Sequence, residues 1–201
     1  MILTEKQIKI LSSTKWYHAT TKENYENIRK VGVQSEYNKG NELDFGYGFY
    51  LMPSEKLAEN YLTRLFGKFD RVAETMVIIE FTFCPLDWFS SDEYSTMIFK
   101  KFDDEFANFV FTNRLECQSN KQRHNYDAIY GVMSDSIPTK LLLDYKSGDI
   151  SKDEVLEGLK KETSMKQLSL HNQSLCDSIV LTRAYEFNPQ NQERKELDIN
   201  E

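Results

Sequence analysis

Basic residues, histidine and cysteine are all in short supply in this chain, and each shortage removes a class of function. Lys and Arg number 25 against 32 Asp and Glu, for a formal net charge of −7. An extended nucleic-acid surface would need a basic patch to neutralise phosphates, so this balance argues against one. The one local basic cluster, Lys121-Gln122-Arg123-His124, reads as a solvated loop. His18, His124 and His171 are the only histidines. Cys84, Cys117 and Cys176 are odd in number, far apart and without metal-ligand spacing, so they read as reduced structural thiols and no metal is expected. Apolar runs long enough to span a bilayer are missing, and so is a charged-then-apolar signal segment at the start. That pattern is expected of a cytoplasmic chain, with export by a signal-independent route left open.

Aromatic residues, by contrast, are abundant, with 13 Phe and 11 Tyr in 201 residues, enough to pack one sizeable domain over 1–187. The polar stretch 188–201 reads as a disordered tail. The pattern predicts helices over Thr4–Leu11, Asn24–Val31 (stopped by Gly32), the stretch after Pro53 capped by Ser54, most of Asp92–Leu115, Pro138–Tyr145 and Lys152–Lys161. Ser151 with Glu154 forms a capping box for the last of these. Strands are predicted over Lys15–Thr20, Gly48–Met52, Val72–Phe83, Tyr126–Met133, Gln167–His171 and Asp177–Phe187. Elements of both kinds without regular alternation indicate an α+β domain, with helices around one or two antiparallel sheets.

Four patches invite a chemical reading: Trp16-Tyr17-His18-Ala19-Thr20, the run Asp44 to Tyr50 (DFGYGFY), Tyr61, and Gln167 to His171. Taken singly, each also fits a structural role. A strand histidine is often a hydrogen-bonded core residue, a Gly-rich run often only a tight turn, and a tyrosine at helical spacing with Leu57 and Leu65 often core. Their order and spacing add information. WYHATT, a helix, a loop, FGYGFYL and a helix ending in ENYL together resemble the ADP-ribosyltransferase superfamily. The likeness is to the branch of poly-ADP-ribose polymerases and diphtheria-toxin-like enzymes, with a strand histidine, a strand tyrosine after G-x-G and a second tyrosine eleven residues later. Here these are His18, Tyr50 and Tyr61.

Over nearly the whole chain the likeness is closer to a bacterial family of unknown function (domain of unknown function 3990) placed in that superfamily. It runs through YHAT, DFGYGFYL, the FVFTNR run, YDAIYGVMSD, DISKDEVLEGL and QLSLH. The residue after the first histidine is usually Gly there and is Ala19 here.

The resemblance implies split antiparallel sheets with surrounding helices, and NAD+ as co-substrate with no metal. It implies that Tyr50 and Tyr61 flank the nicotinamide ring, that His18 binds a ribose hydroxyl, and that the Ala19 backbone reads the carboxamide beside Thr20. Asp44, Phe45 and Gly46 form the loop approaching the ligand. The third catalytic position, a glutamate in better-known members, falls on Gln167. Arg114 is either a contact to the pyrophosphate or a surface salt bridge, and Asp135 either an acceptor-side residue or a turn former. His171 and the Asp103-Asp104-Glu105 run read as structural.

The function implied is a mono-ADP-ribosyltransferase that modifies a protein, as a toxin or effector acting in a cytosol. The alternatives are an NAD+ glycohydrolase and a non-catalytic NAD+ or ADP-ribose binding module. A protein acceptor is expected before a nucleic acid, and no membrane partner is expected.

Overall fold

The computed structural model describes residues 3–66, 75–119, 124–134 and 138–200. In chain order the elements are α1 (Glu5–Leu11), β1 (Lys15–Thr21), α2 (Lys22–Val31), β2 (Phe49–Leu51), α3 (Glu55–Phe66), β3 (Met76–Thr82), α4 (Pro85–Phe89), β4 (Thr96–Phe99), α5 (Asp104–Leu115), β5 (Ala128–Val132), α6 (Pro138–Ser147), α7 (Lys152–Leu159), β6 (Lys166–Leu170), α8 (Gln173–Ser178), β7 (Val180–Phe187) and β8 (Arg194–Leu197). This is a mixed α+β chain with two four-stranded sheets. It divides into two compact units. One comprises residues 1–34, 50–93 and 174–201, the other 35–49 and 94–173.

Helix ends follow their local chemistry. Thr4 and Gln7 close a capping box on α1, and Ser151 and Glu154 close the expected one on α7. The Thr21 hydroxyl caps α2, and Gly32 ends it at φ +78°, a left-handed setting that glycine adopts without a Cβ penalty.

The first unit is built on the sheet β1-β3-β7-β8, antiparallel throughout. Met76 to Phe81 of β3 are buried on both faces of the sheet, as its run of β-branched and aromatic residues predicts. Helices α2 and α3 pack on β1 and β3. Trp16 is fully buried, and its indole donates to the Ser13 carbonyl at 2.9 Å.

In the second unit β5 lies between β6 and β4 in the order β2-β6-β5-β4, and the division between the units falls inside β2, after Phe49. Its core holds a cluster of rings in which Phe45 stacks on Phe99 (5.6 Å) and meets Phe106 and Phe109 edge-on. Offset and edge-to-face geometries of this kind add about 1 kcal/mol per pair beyond burial.

Four sequence expectations are corrected. The helix expected over most of Asp92–Leu115 begins only at Asp104, where the Asp103 carboxylate caps the Phe106 amide. Ile98, which fits the helical spacing, sits instead in β4, where Thr96–Phe99 finds a strand partner in β5. That pairing is parallel, so the second sheet is mixed rather than antiparallel. Asp177 and Ser178, expected in the last strand, end the short helix α8. The tail expected to be disordered carries β8, which pairs with β7 across a turn. Arg194 there binds Glu59, and the Arg183 guanidinium pairs with Glu196. The strand expectation over 72–74, the Lys121-Gln122-Arg123 cluster and Asp135 lie outside the described residues. Among the described residues, no helix is long and apolar enough to cross a membrane.

Candidate functional site

In the first unit, β1 and the start of β2's exit run antiparallel through a single bridge. Tyr17 and Met52 exchange both backbone hydrogen bonds, at 2.9 and 2.7 Å. This bridge brings His18 against the segment that carries Tyr50, and His18 Nδ1 lies 2.7 Å from the Tyr50 carbonyl. A carbonyl can only accept, so Nδ1 carries the proton. Burial lowers the His18 pKa to about 4, with the Tyr50 carbonyl working in the opposite direction. The ring is therefore neutral at pH 7, and Nε2 has acceptor character. The sequence alone allowed this imidazole to donate and accept; the tautomer makes Nδ1 the donor and Nε2 an acceptor.

Tyr50 on β2 and Tyr61 on α3 are both half-buried, while their neighbours Leu51, Ala58 and Leu62 are buried. Ala19 and Thr20 are half-buried and pair with Ile78 and Val77 of β3. Ser54 caps α3 at the Leu57 amide, as expected.

A charged cluster in the same unit has no counterpart among the sequence expectations. Glu80, 5% exposed in the middle of β3, accepts from Tyr17 at 3.1 Å and pairs with Lys15 at 3.0 Å. Burial, then the Glu80 charge, pushes the Tyr17 phenol up to about 12. Nearby, Glu59 is buried and binds Arg194 and the Tyr185 hydroxyl. The signal was present: a glutamate inside VIIEFTF has no place on a doubly buried strand unless partners await it.

In the second unit the Asp44–Gly48 loop is fixed at every turn. The Asp44 carboxylate is 4% exposed and receives four groups. Arg114 donates from Nε at 2.9 Å and pairs through Nη2 at 2.7 Å, the Ser134 hydroxyl donates at 2.6 Å, the Ser134 amide at 2.9 Å, and Gln167 Nε2 at 3.0 Å. Burial alone would raise its pKa, but the Arg114 charge and the Ser134 bonds more than offset this and hold it below the usual carboxylate range. Arg114 Nη1 also donates to the Glu42 carbonyl at 2.9 Å. The surface alternative for Arg114 is thus replaced by a buried ion pair.

Further along, His124 lies 2.8 Å from the Phe45 carbonyl and His171 2.7 Å from the Tyr47 carbonyl. The Asn38 side chain binds both the amide and the carbonyl of Gly48, at 2.9 and 2.7 Å. Gly46 sits at φ +78°. A Cβ on Gly48 would lie 2.6 Å from the His171 ring and 2.8 Å from the Leu170 carbonyl, so the approach that glycine permits here is to β6 and its following histidine. His124 is correspondingly not part of a solvated loop; its ring packs on Phe109, Tyr126 and His171.

The structure therefore brings His18 together with the Tyr50 backbone, and Asp44 together with Arg114 and Gln167. Ser134 and His124 were missed. Ser134 falls within the YDAIYGVMSD run and His124 just ahead of it, but only their distant partners in the chain give either a role.

The sequence matches the family described as protein of unknown function (DUF3990) over residues 15–181, and the chain belongs to that family. No curated protein and no solved structure matches it.

Proposed function

We propose that this chain is an NAD+-dependent mono-ADP-ribosyltransferase acting on a protein, as a toxin or effector working in a cytosol. The reading takes the two sheets as an ADP-ribosyltransferase-like arrangement, on the strength of the ordered motifs around His18, Tyr50 and Tyr61. The observation that carries it is the bond from His18 Nδ1 to the Tyr50 carbonyl. It ties the strand histidine to the strand that bears the first tyrosine, and it puts the ring proton on Nδ1, so that Nε2 is the acceptor.

In this reading the half-buried rings of Tyr50 and Tyr61 hold the pyridinium of NAD+. Stacking contributes about 1 kcal/mol beyond burial, and the ring charge adds a cation–π contribution. His18 Nε2 accepts from a ribose hydroxyl. The bond between the nicotinamide nitrogen and ribose C1′ breaks with its electron pair going to the nicotinamide, which leaves as a neutral molecule. The acceptor's nucleophile bonds to C1′ and gives up its proton. Grip on the leaving ring helps most if it is stronger for the partly broken bond than for the substrate.

The resemblance assigns Gln167 to the position of the catalytic glutamate, yet its amide is committed to the buried Asp44. An amide brings no negative charge to a developing oxocarbenium ion. This supports a second reading, in which the chain hydrolyses NAD+ slowly or binds NAD+ or ADP-ribose without turnover. Incubation with NAD+ labelled in the adenylate, in the presence of cell lysate, separates these. Label on a protein band supports the transferase, nicotinamide release without a labelled band the glycohydrolase, and saturable binding without turnover the module. An absence of all three refutes the NAD+ reading.

A further inference from the structure

We propose that His124 and His171 are positioning residues: as a pair they lock the Asp44–Gly48 loop and so set the angle at which the chain enters β2, two residues before Tyr50. The inference rests on the NAD+ reading for its functional consequence, but the lock itself is a property of the second unit.

Four hydrogen bonds define it. The Phe45 and Tyr47 carbonyls can only accept, so His124 donates from Nε2 and His171 donates from Nδ1. The other nitrogen of each ring must then accept, and each has a suitable donor. The Tyr126 amide lies 3.1 Å from His124 Nδ1, and the Ser169 hydroxyl 2.8 Å from His171 Nε2. The two rings thus use opposite tautomers, each demanded by its own surroundings. They meet edge to face with centroids 4.6 Å apart, so moving either disturbs the other. Gly48 admits no side chain beside His171, and its backbone is taken on both sides by Asn38.

A purely space-filling histidine would be replaced equally well by Asn or by Gln. A positioning histidine would not, because the two amides mimic different ring nitrogens. Asn Nδ2 falls where His Nδ1 was, and Gln Nε2 falls where His Nε2 was. His171→Asn and His124→Gln therefore keep the bond to the loop, whereas His171→Gln and His124→Asn lose it.

The test measures amide hydrogen exchange at Gly46 and Gly48 in the full chain, with and without NAD+, together with NAD+ affinity by calorimetry. We expect the two matched amides to keep loop protection near wild type, and the mismatched pair and both alanine variants to speed exchange by about ten-fold or more. NAD+ affinity should weaken in the same order while the melting temperatures of matched and mismatched variants stay close. Loop exchange that is equal in matched and mismatched variants, or that tracks melting temperature alone, overturns the proposal. If protection follows the pattern but wild type binds no NAD+, the lock stands and the NAD+ reading falls. If wild type binds NAD+ and affinity ignores the pattern, the lock does not position Tyr50 and the proposal fails.

Discussion

Gln167 donates its side-chain amide to the Asp44 carboxylate across 3.0 Å, and both groups are withdrawn from solvent. That contact makes Gln167→Glu informative. A second carboxylate beside Asp44 cannot ionise alongside it without a large penalty, so the pair must share a proton, and its affinity for that proton rises in the folded state. A folded-state pKa above the unfolded value gives stability that is present at low pH and lost as pH rises. The variant should therefore be less stable than wild type at pH 7, by about 3 kcal/mol, and recover towards pH 4 in denaturant titrations. A gain in NAD+ turnover without loss of stability would instead place Gln167 at the reacting ribose.

Arg114→Ala should be the most damaging change in the same network. It strands the buried Asp44 carboxylate without its cation and frees the Glu42 carbonyl. Breaking a buried pair by removing one partner costs about 3–5 kcal/mol. Arg114→Lys should recover only part of this, because an ammonium cannot serve Asp44 and Glu42 through a planar fork. Thermal unfolding checks both; near-wild-type melting of Arg114→Ala would mean the pair carries no weight.

Gly48→Ala should disturb the loop whatever happens at His171. The added methyl would meet the imidazole at 2.6 Å and the Leu170 carbonyl at 2.8 Å. A side chain can swing away, but a strand carbonyl cannot without breaking its ladder. A loss of about 1–3 kcal/mol is expected from overpacking, and His171→Ala in the same chain should relieve only part of it. Full rescue by His171→Ala would show that the backbone contact is unimportant.

Acid should weaken the protein before its carboxylates titrate. Burial holds His18 near 4; burial, together with the neighbouring His124, holds His171 near 3. The Tyr50 carbonyl faces His18, and the Tyr47 carbonyl, the Ser169 hydroxyl and His124 face His171. Both rings stay neutral when folded, whereas in the unfolded chain they take up protons near pH 6.5. Stability from these groups is complete above that value and lost as pH falls towards the folded pKa values. Unfolding midpoints should decline from about pH 6.5 downward, each group contributing on the order of 1.4 kcal/mol per pH unit inside its window. A flat profile between pH 7 and 5 would contradict the buried neutral rings.

Much of the fold was legible because local chemistry decided it. Ser54 and Ser151 cap where their spacing says they should, and Gly32 and Gly148 turn left-handed at helix ends. Errors came where a distant partner decided the outcome. Ile98 and Phe102 keep helical spacing, yet Thr96–Phe99 is claimed by β5, and Phe102 packs edge-on against Phe106 ahead of the helix. Arg194 looks like part of a polar tail until Glu55 and Glu59 are in view. The same holds for the candidate residues. His18 and Tyr50 lie in motifs that can be read in order, but the tautomer of His18 depends on a carbonyl 32 residues away. The partners of Asp44 come from positions 114, 134 and 167, and no local pattern joins them.

The proposed NAD+ chemistry depends most directly on whether the phenol at position 50 grips a nicotinamide. Calorimetric titration of NAD+ into wild type and into Tyr50→Ala addresses it. Saturable binding to wild type is expected, weakened by about ten-fold or more in the variant, with both proteins melting within a few degrees of each other. Equal affinity in the two, or no binding to a folded wild-type chain, would contradict it.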